Sequence, residues 1–388
     1  MENQKRKICF VITSPVHYSR SKLLLDELKK RGDIDLQIVI GGSAILSRYG
    51  DITDWLVKDG FEVSNQVIMS LEGGNNVAMA KTTGLGIIEF ASVFDSLSPD
   101  IIVLRADRYE VLSAAIAGAY LNKTIGHIEG GDVSGSIDES ARHAITKLSH
   151  LHFVTNEDAK TRVLQMGENP EYVFNFGCPD VEFAILNNCG LDNNDLASFG
   201  VGANVDIEKP FLMVIQHPVT TESGKNKEHI HETLKAIISL KMPVFWFWPN
   251  IDAGTDEIAA AIRTAREKTD IDNYVHFVKV LPPEKFIALL KKASCLIGNS
   301  SSGIKECSVL GVPVVNIGTR QAGRLKGDNV VDVSYDSEEI KLAIQKQLER
   351  GHCQNNNLYY QENTSKKIAE KLATCKLYVQ KKFYDYEK

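Results

Sequence analysis

The strongest chemical signal in this chain is Gly298-Asn299-Ser300-Ser301-Ser302-Gly303-Ile304-Lys305-Glu306. It follows a short apolar run, Cys295–Gly298, and leads into a helical period ending near Gly311. Small side chains let an anion approach the backbone. A helix N-terminus adds unpaired N–H groups and the positive end of its dipole. Ser301 and Ser302 offer hydroxyl donors, and Glu306, about one turn further on, suits a ribose diol. The competing reading is an ordinary serine-capped helix.

A second signal is acidic. Arg105-Ala106-Asp107-Arg108-Tyr109-Glu110 follows the strand-like run Ile101–Leu104. His127-Ile128-Glu129-Gly130-Gly131-Asp132 closes the next such run, and Asp138-Glu139-Ser140-Ala141-Arg142-His143 opens the helix after it. If all three lie at one sheet edge, Asp107, Glu129 and Asp138 converge. Converging carboxylates raise one another's pKa and can supply an acid and a base near neutral pH. Taken singly, Asp138 also reads as a helix cap and the others as solvated surface acids. His217, in Gln216-His217-Pro218-Val219-Thr220-Thr221, ends a strand at the corresponding edge of the second half, where it can meet phosphate or move a proton.

Other patterns fail. Gly84-x-Gly86-x-x-Glu89 lacks the third glycine of a dinucleotide fingerprint and falls inside a helical period. There is no Walker A sequence and no Gly-x-Ser-x-Gly elbow. His150/His152 and His229/His231 lack partners at metal-ligand spacing, so no metal is expected. The seven cysteines form no Cys-x-x-Cys pair and read as reduced thiols of a cytoplasmic protein.

Positioning such residues requires strands that end where the chemistry begins. Apolar runs at Lys7–Thr13, Leu36–Ile40, Val63–Met69, Ile101–Leu104, Thr124–Glu129, His152–Thr155 and Val173–Phe176 alternate with helical periods, among them Ser21–Arg31, Thr53–Asp59 and Val77–Leu97. Around residues 187–208 Asn, Asp and Gly become dense. The alternation then restarts at Phe211–Gln216, with further runs at Val244–Trp248, Val275–Val280, Cys295–Gly298 and Val314–Ile317. Strands that are apolar throughout and alternate with helices predict mainly parallel sheets covered on both faces. We expect an α/β chain of two doubly wound domains: 1–186 with the carboxylates, 187–361 with the nucleotide segment, and a helix in 362–388 packing back on the first. Ligands of such sheets sit beyond the carboxyl ends of the strands. The chain's 388 residues suffice for two cores. With 44 basic and 50 acidic residues the net charge is −6, which argues against a nucleic-acid binder. No run approaches the roughly 18 apolar residues of a membrane span.

Together, Ala106-Asp107-Arg108, His127-Ile128-Glu129-Gly130-Gly131, Asp138-Glu139-Ser140-Ala141-Arg142-His143, His217-Pro218-Val219-Thr220-Thr221, Gly298–Gly303 and Gly318-Thr319-Arg320-Gln321 resemble the hydrolysing UDP-N-acetylglucosamine 2-epimerases, from about Lys7 to Val333 and in the right order. That family serves sialic acid, legionaminic acid and related nonulosonate pathways. The resemblance implies a GT-B-like fold, a cleft for a UDP-sugar, no metal, no NAD and usually a homodimer. It also implies a two-step reaction, in which anti elimination of UDP gives a 2-acetamidoglycal that water then converts to the free manno-configured sugar. Asp107, Glu129, Asp138 and His217 fall on the family's catalytic positions. Ser301, Ser302, Gly303 and Arg320 fall around the nucleotide, and Glu306 on the ribose-binding acid.

One departure matters. The family usually has Thr-x-Arg-Ala-Asp-Tyr-Ser after its first strand, whereas this chain has Thr13-Ser14-Pro15-Val16-His17-Tyr18-Ser19. The phosphate-facing arginine is missing from its usual place, and Arg20 or His17 stands ready to replace it. The substrate is then UDP-N-acetylglucosamine, a 4-acetamido-6-deoxy relative such as UDP-N,N'-diacetylbacillosamine, or a GDP-linked sugar. A GT-B glycosyltransferase shares the architecture, and a non-catalytic nucleotide-sugar sensor would need only the nucleotide segment.

Overall fold

The structure, a computed structural model, describes residues 5–386. Two seven-stranded sheets organise it. The first holds β1 (Arg6–Ile12), β2 (Ile34–Gly41), β3 (Val63–Val67), β4 (Ile101–Arg105), β5 (Thr124–Ile128), β6 (Leu151–Val154) and β7 (Val173–Asn175), in the order β3-β2-β1-β4-β5-β6-β7. All its pairs are parallel. The second holds β8 (Gly200–Gly202), β9 (Leu212–Ile215), β10 (Val244–Phe247), β11 (Val275–Val278), β12 (Cys295–Gly298), β13 (Val314–Ile317) and β14 (Val330–Val333), in the order β14-β13-β12-β9-β10-β11-β8. Only β8 runs antiparallel there, at the edge. This is the expected GT-B-like α/β architecture.

The apolar runs become central strands because both faces are covered. On one face of the first sheet Ile8, Phe10, Ile12, Ile38 and Val103 pack under the helix Pro15–Lys29 and the late helix Thr364–Thr374. On the other, Cys9, Val11, Ile102 and Leu104 pack under the helices Asn76–Leu97 and Tyr109–Tyr120. Each fully buried Phe, Leu or Ile stabilises the fold by roughly 1.5–3 kcal/mol relative to exposure. The crossing between the halves runs through the helix Pro179–Leu186, whose Val181, Phe183 and Ala184 already lie in the core of the second sheet. All seven cysteines are free thiols.

Three expectations need correction. The first helix begins at Pro15, not Ser21: Ser14 caps it by accepting from the His17 N–H, and Pro15 sits at the start, where its missing N–H costs nothing. The last helix ends at Thr374. Beyond it the backbone finds other partners: the Tyr378 carbonyl accepts from Thr124 Oγ1, the Val379 carbonyl pairs with the His150 ring, and the Tyr384 N–H donates to the Gly167 carbonyl. Third, the helix Asn76–Leu97 is long and apolar enough to span a membrane by length and composition. Here Thr82, Gly86, Phe90, Val93 and Phe94 turn into the core, while Val77, Leu85 and Ile88 stay exposed.

In both sheets the chain order reverses between neighbouring strands, at β1/β4 and at β9/β12. Loops after such strands diverge and open a crevice. The two crevices face each other.

Candidate active site

Between the halves lies a cavity of about 820 Å³, within the usual range for a small-molecule site. Its lining includes Asp107, Glu129, Asp138, His217, Arg20, Ser301, Ser302, Glu306 and Arg320. Tertiary structure thus gathers nine of the ten site residues expected from the sequence. Gly303 is the exception. A Cβ there would come 2.9 Å from a Val314 methyl, so its role is to let the helix Ser301–Ile304 lie close on the sheet.

The acidic wall comes from the ends of β4 and β5. Ala106 and Glu129, one residue past each strand, hold φ of +65° and +72°, a left-handed conformation that non-glycine residues rarely adopt. Such strain persists only where the surroundings enforce it, and it concentrates at functional sites. Asp107 follows Ala106 and pairs with Arg142, itself fully buried and anchored by a 2.8 Å bond to the Asp132 carbonyl. Burial opposes ionisation of Asp107, but the Arg142 and Arg324 guanidiniums outweigh it and bring the carboxyl down to about 2. Asp138 behaves oppositely. Burial and the negative charges of Asp107 and Asp252 push it up to about 6, against the nearby Arg320 guanidinium. Ser136, not Asp138, caps this helix; its hydroxyl donates to Asp138 Oδ2 at 2.9 Å. Two neighbouring carboxyls with opposite shifts are the arrangement that separates proton-carrying from charge-stabilising roles.

Glu129 is held differently. Lys305 Nζ lies 2.7 Å from its Oε2, and the Arg105 guanidinium binds Oε1. Burial raises the cost of its charge, but Lys305, Arg105 and Arg20 hold the carboxyl well below the usual range.

On the opposite wall Asn299 ties the crevice together. Its Oδ1 accepts from the His217 N–H and its Nδ2 donates to the His217 carbonyl, both at 2.8 Å. Its own carbonyl accepts from Arg320 Nη1 at 3.2 Å and Gln321 Nε2 at 2.8 Å. The preceding Gly298 has φ +125°, and a Cβ there would lie 2.1 Å from the Ile215 carbonyl oxygen, so only glycine fits. Burial and the Arg320 charge push the His217 ring down to about 3, so it is neutral. The Asn250 N–H donates to its Nδ1 at 3.3 Å, which leaves the proton on Nε2. Glu306 Oε1 accepts from Ser302 Oγ at 3.2 Å, while its buried Oε2 has no hydrogen-bond partner among the described residues and can accept from a ligand.

Arg20 crosses from the first half. Its guanidinium donates to Ser301 Oγ at 2.8 Å and lies 3.4 Å from Glu306 Oε1. His17 instead turns inward to Thr13 Oγ1 at 3.1 Å, and burial, with Arg108 and Arg105 nearby, brings it down to about 3. The sequence reading missed Lys305, Arg105, Asp180 and the interdomain pair Arg108–Asp252, 3.0 Å apart. Nothing in their spacing signals that they meet. The lining also includes Phe183, Phe199, Trp248, Phe277 and Leu281, apolar side chains of the kind that receive a flat base.

The family profile described as UDP-N-acetylglucosamine 2-epimerase matches residues 26–373. The chain is 32% identical over 375 residues to a hydrolysing UDP-N,N'-diacetylbacillosamine 2-epimerase of Legionella pneumophila, covering 97% of each. It is 32% identical over 356 residues to a hydrolysing GDP/UDP-N,N'-diacetylbacillosamine 2-epimerase of Campylobacter jejuni, covering 90% of each. Its fold matches that of a Methanocaldococcus jannaschii UDP-GlcNAc 2-epimerase solved with UDP-GlcNAc and UDP, with TM-score 0.77 at 16% identity, over 94% of this chain and 99% of that one. With the family profile matching residues 26–373 and a relative 32% identical along 97% of the sequence, this chain belongs to the UDP-N-acetylglucosamine 2-epimerase family.

Proposed function

We propose that the protein is a hydrolysing nucleotide-sugar 2-epimerase that converts a UDP-linked 2-acetamido sugar of the N,N'-diacetylbacillosamine kind to the free manno-configured sugar and UDP. The observation that carries this reading is the single cavity in which three carboxylates face a serine-rich turn, an arginine pair and a free buried carboxylate oxygen. Two relatives named for that substrate, each 32% identical, favour it over UDP-N-acetylglucosamine.

The nucleotide lies against the second half, with its ribose on Glu306 and its diphosphate between Ser301, Ser302, Arg320 and Arg20. His217 donates from Nε2 toward the leaving phosphate. Asp138, with a pKa close to working pH, takes the C2 proton. The C2–H electron pair becomes the C1=C2 double bond as the C1–O bond breaks and UDP departs. Water then adds across the double bond, and its oxygen bonds to C1. The double-bond electrons take up at C2, on the opposite face, the proton the water gives up, relayed through solvent, and Asp138 returns the first proton to solvent. Asp107, held ionised by Arg142, keeps Asp138 basic. No acceptor is needed, unlike in a glycosyltransferase.

We infer a homodimer from the outward face of the helix Asn76–Leu97, where Val77, Leu85 and Ile88 form an exposed apolar stripe.

The test is incubation without acceptor, in heavy water, with UDP-N,N'-diacetylbacillosamine, UDP-N-acetylglucosamine and the GDP counterpart. The expected result is UDP and a free sugar bearing deuterium at C2, fastest with the first substrate. Full retention of protium at C2, or a requirement for NAD, overturns the mechanism.

A further inference from the structure

Seven charged or polarisable side chains, Arg20, Arg105, Glu129, Cys178, Asp180, Lys305 and Glu306, are packed at the floor of the cleft where the halves meet. We propose that Lys305 is a positioning residue for the reaction: reaching across from the second half, it fixes Glu129 as a permanent anion facing the charge that develops at the sugar's C1, and Glu129 carries no proton. This deepens the epimerase reading and rests on it.

Both Glu129 oxygens are occupied by cations, Oε2 by Lys305 at 2.7 Å and Oε1 by the Arg105 guanidinium. Asp180 shares the same two cations, at 3.3 Å from Lys305 and 2.6 Å from Arg105. The groups facing Glu129 are Arg20 and His17 from the first helix, Arg105 at the end of β4 and Asp107 after it, Cys178 at the cap of the crossing helix and Asp180 in its first turn, and Lys305. Burial pushes the Cys178 thiol up, so it stays neutral. The histidine is neutral too. Three cations therefore balance Glu129, Asp180 and Glu306. Protonating Glu129 would leave buried cations without counter-charge, a strongly unfavourable change.

An ionised carboxylate has its own use here. As the C1–O bond breaks, positive charge gathers on C1 and the ring oxygen, and a preorganised anion stabilises it without reorganisation. Lys305 occupies the break between the helices Ser301–Ile304 and Glu306–Leu310, with φ −96° and ψ −68°. The turn that presents Ser302 and Glu306 to the nucleotide thus also aims Lys305 at Glu129. One turn carries both the expected nucleotide contacts and the cation that holds Glu129.

The experiment combines carbon-13 NMR of labelled glutamate carboxyls, with Glu129→Gln to assign the signal, and pH profiles of kcat for wild type, Lys305→Met and Lys305→Arg. In wild type the Glu129 signal should not titrate above about pH 5. Lys305→Met should bring it into the assay range and lower kcat about tenfold or more, with KM within about threefold. Lys305→Arg should restore both. A Glu129 carbon that titrates between about pH 5 and 8 in wild type overturns the proposal, and that measurement stands even if Lys305→Met does not fold. A Lys305→Met protein with wild-type titration and kcat overturns it as well. Failure of the epimerase reading looks different: no nucleotide sugar is turned over while Glu129 still does not titrate, and the catalytic role falls with it.

Discussion

Arg20 Nη2 lies 2.8 Å from Ser301 Oγ, joining the first helix of one half to the phosphate-type turn of the other. Arg20 is five residues, about one and a half helical turns, beyond Pro15, which stands where the resembling family carries its arginine. Its long side chain reaches the cleft from that later position. His17 does not take that place, being neutral and bonded to Thr13. Arg20→Ala should weaken UDP binding by about tenfold or more, in line with the roughly 1.5–3 kcal/mol of a hydrogen bond to a charged group. Arg20→Lys should recover part of it, and His17→Gln should stay within about threefold of wild type. Calorimetric UDP titration separates the two. Normal affinity in Arg20→Ala would return the phosphate contact to His17 or the backbone.

The pH dependence of turnover should carry the signature of Asp138. As the base at C2 it must be ionised, so kcat/KM should rise with pH through about 6. Asp138→Asn should cost roughly 10²–10⁴-fold and abolish the limb. Asp107→Asn should shift the limb to lower pH, because Asp107 supplies the largest charge that raises Asp138. A limb that stays at wild-type pH in Asp107→Asn would separate the two carboxyls.

The same shift has a stability sign. Asp138 has a folded pKa above its unfolded value of 3.8, so the fold is most favoured with this group protonated, below about 4. That advantage is lost as pH rises through about 6. At pH 7.5 Asp138→Asn should therefore be more stable than wild type by about 1–3 kcal/mol, with no gain near pH 3.5. Melting curves at both pH values check this; equal gains at both would contradict it.

Ser301→Ala and Glu306→Ala should weaken UDP binding before they slow chemistry, each by about 1.5–3 kcal/mol. Gly303→Ala should instead lower the melting temperature, because its methyl group must displace Val314, a cost of about 1–3 kcal/mol. Calorimetry beside thermal unfolding distinguishes contact from packing. A Gly303→Ala protein with normal stability and lost UDP binding would reverse that assignment.

Leu85→Asp with Ile88→Asp should yield monomers in light scattering without lowering the melting temperature by more than a few degrees, since both side chains are already exposed. An unchanged dimer would place the interface elsewhere, and a wild-type monomer would remove it.

The amino-acid order by itself determined the two alternations of apolar strand and helix, hence two parallel sheets, because fully buried strands must be apolar on both faces. It also carried the carboxylate and serine motifs that end or follow strands, whereas only the fold showed that Gly298 admits no side chain. Local signals misjudged two helix limits. At Ser14-Pro15 the cap was present in the sequence and overlooked; beyond Thr374 helical periodicity yielded to hydrogen bonds with residues far along the chain. The charge state of each site carboxylate was not legible at all. Asp107, Glu129 and Asp138 are alike in sequence, and each sits just past a strand or at the start of a helix. Arg142 makes one a strong acid, Lys305 and Arg105 make another a permanent anion, and burial beside like charges brings the third near neutral pH. Those partners come from other elements, and in Lys305 from the other half. Only the fold brings them within the few ångströms over which Coulomb energy outweighs the cost of desolvation.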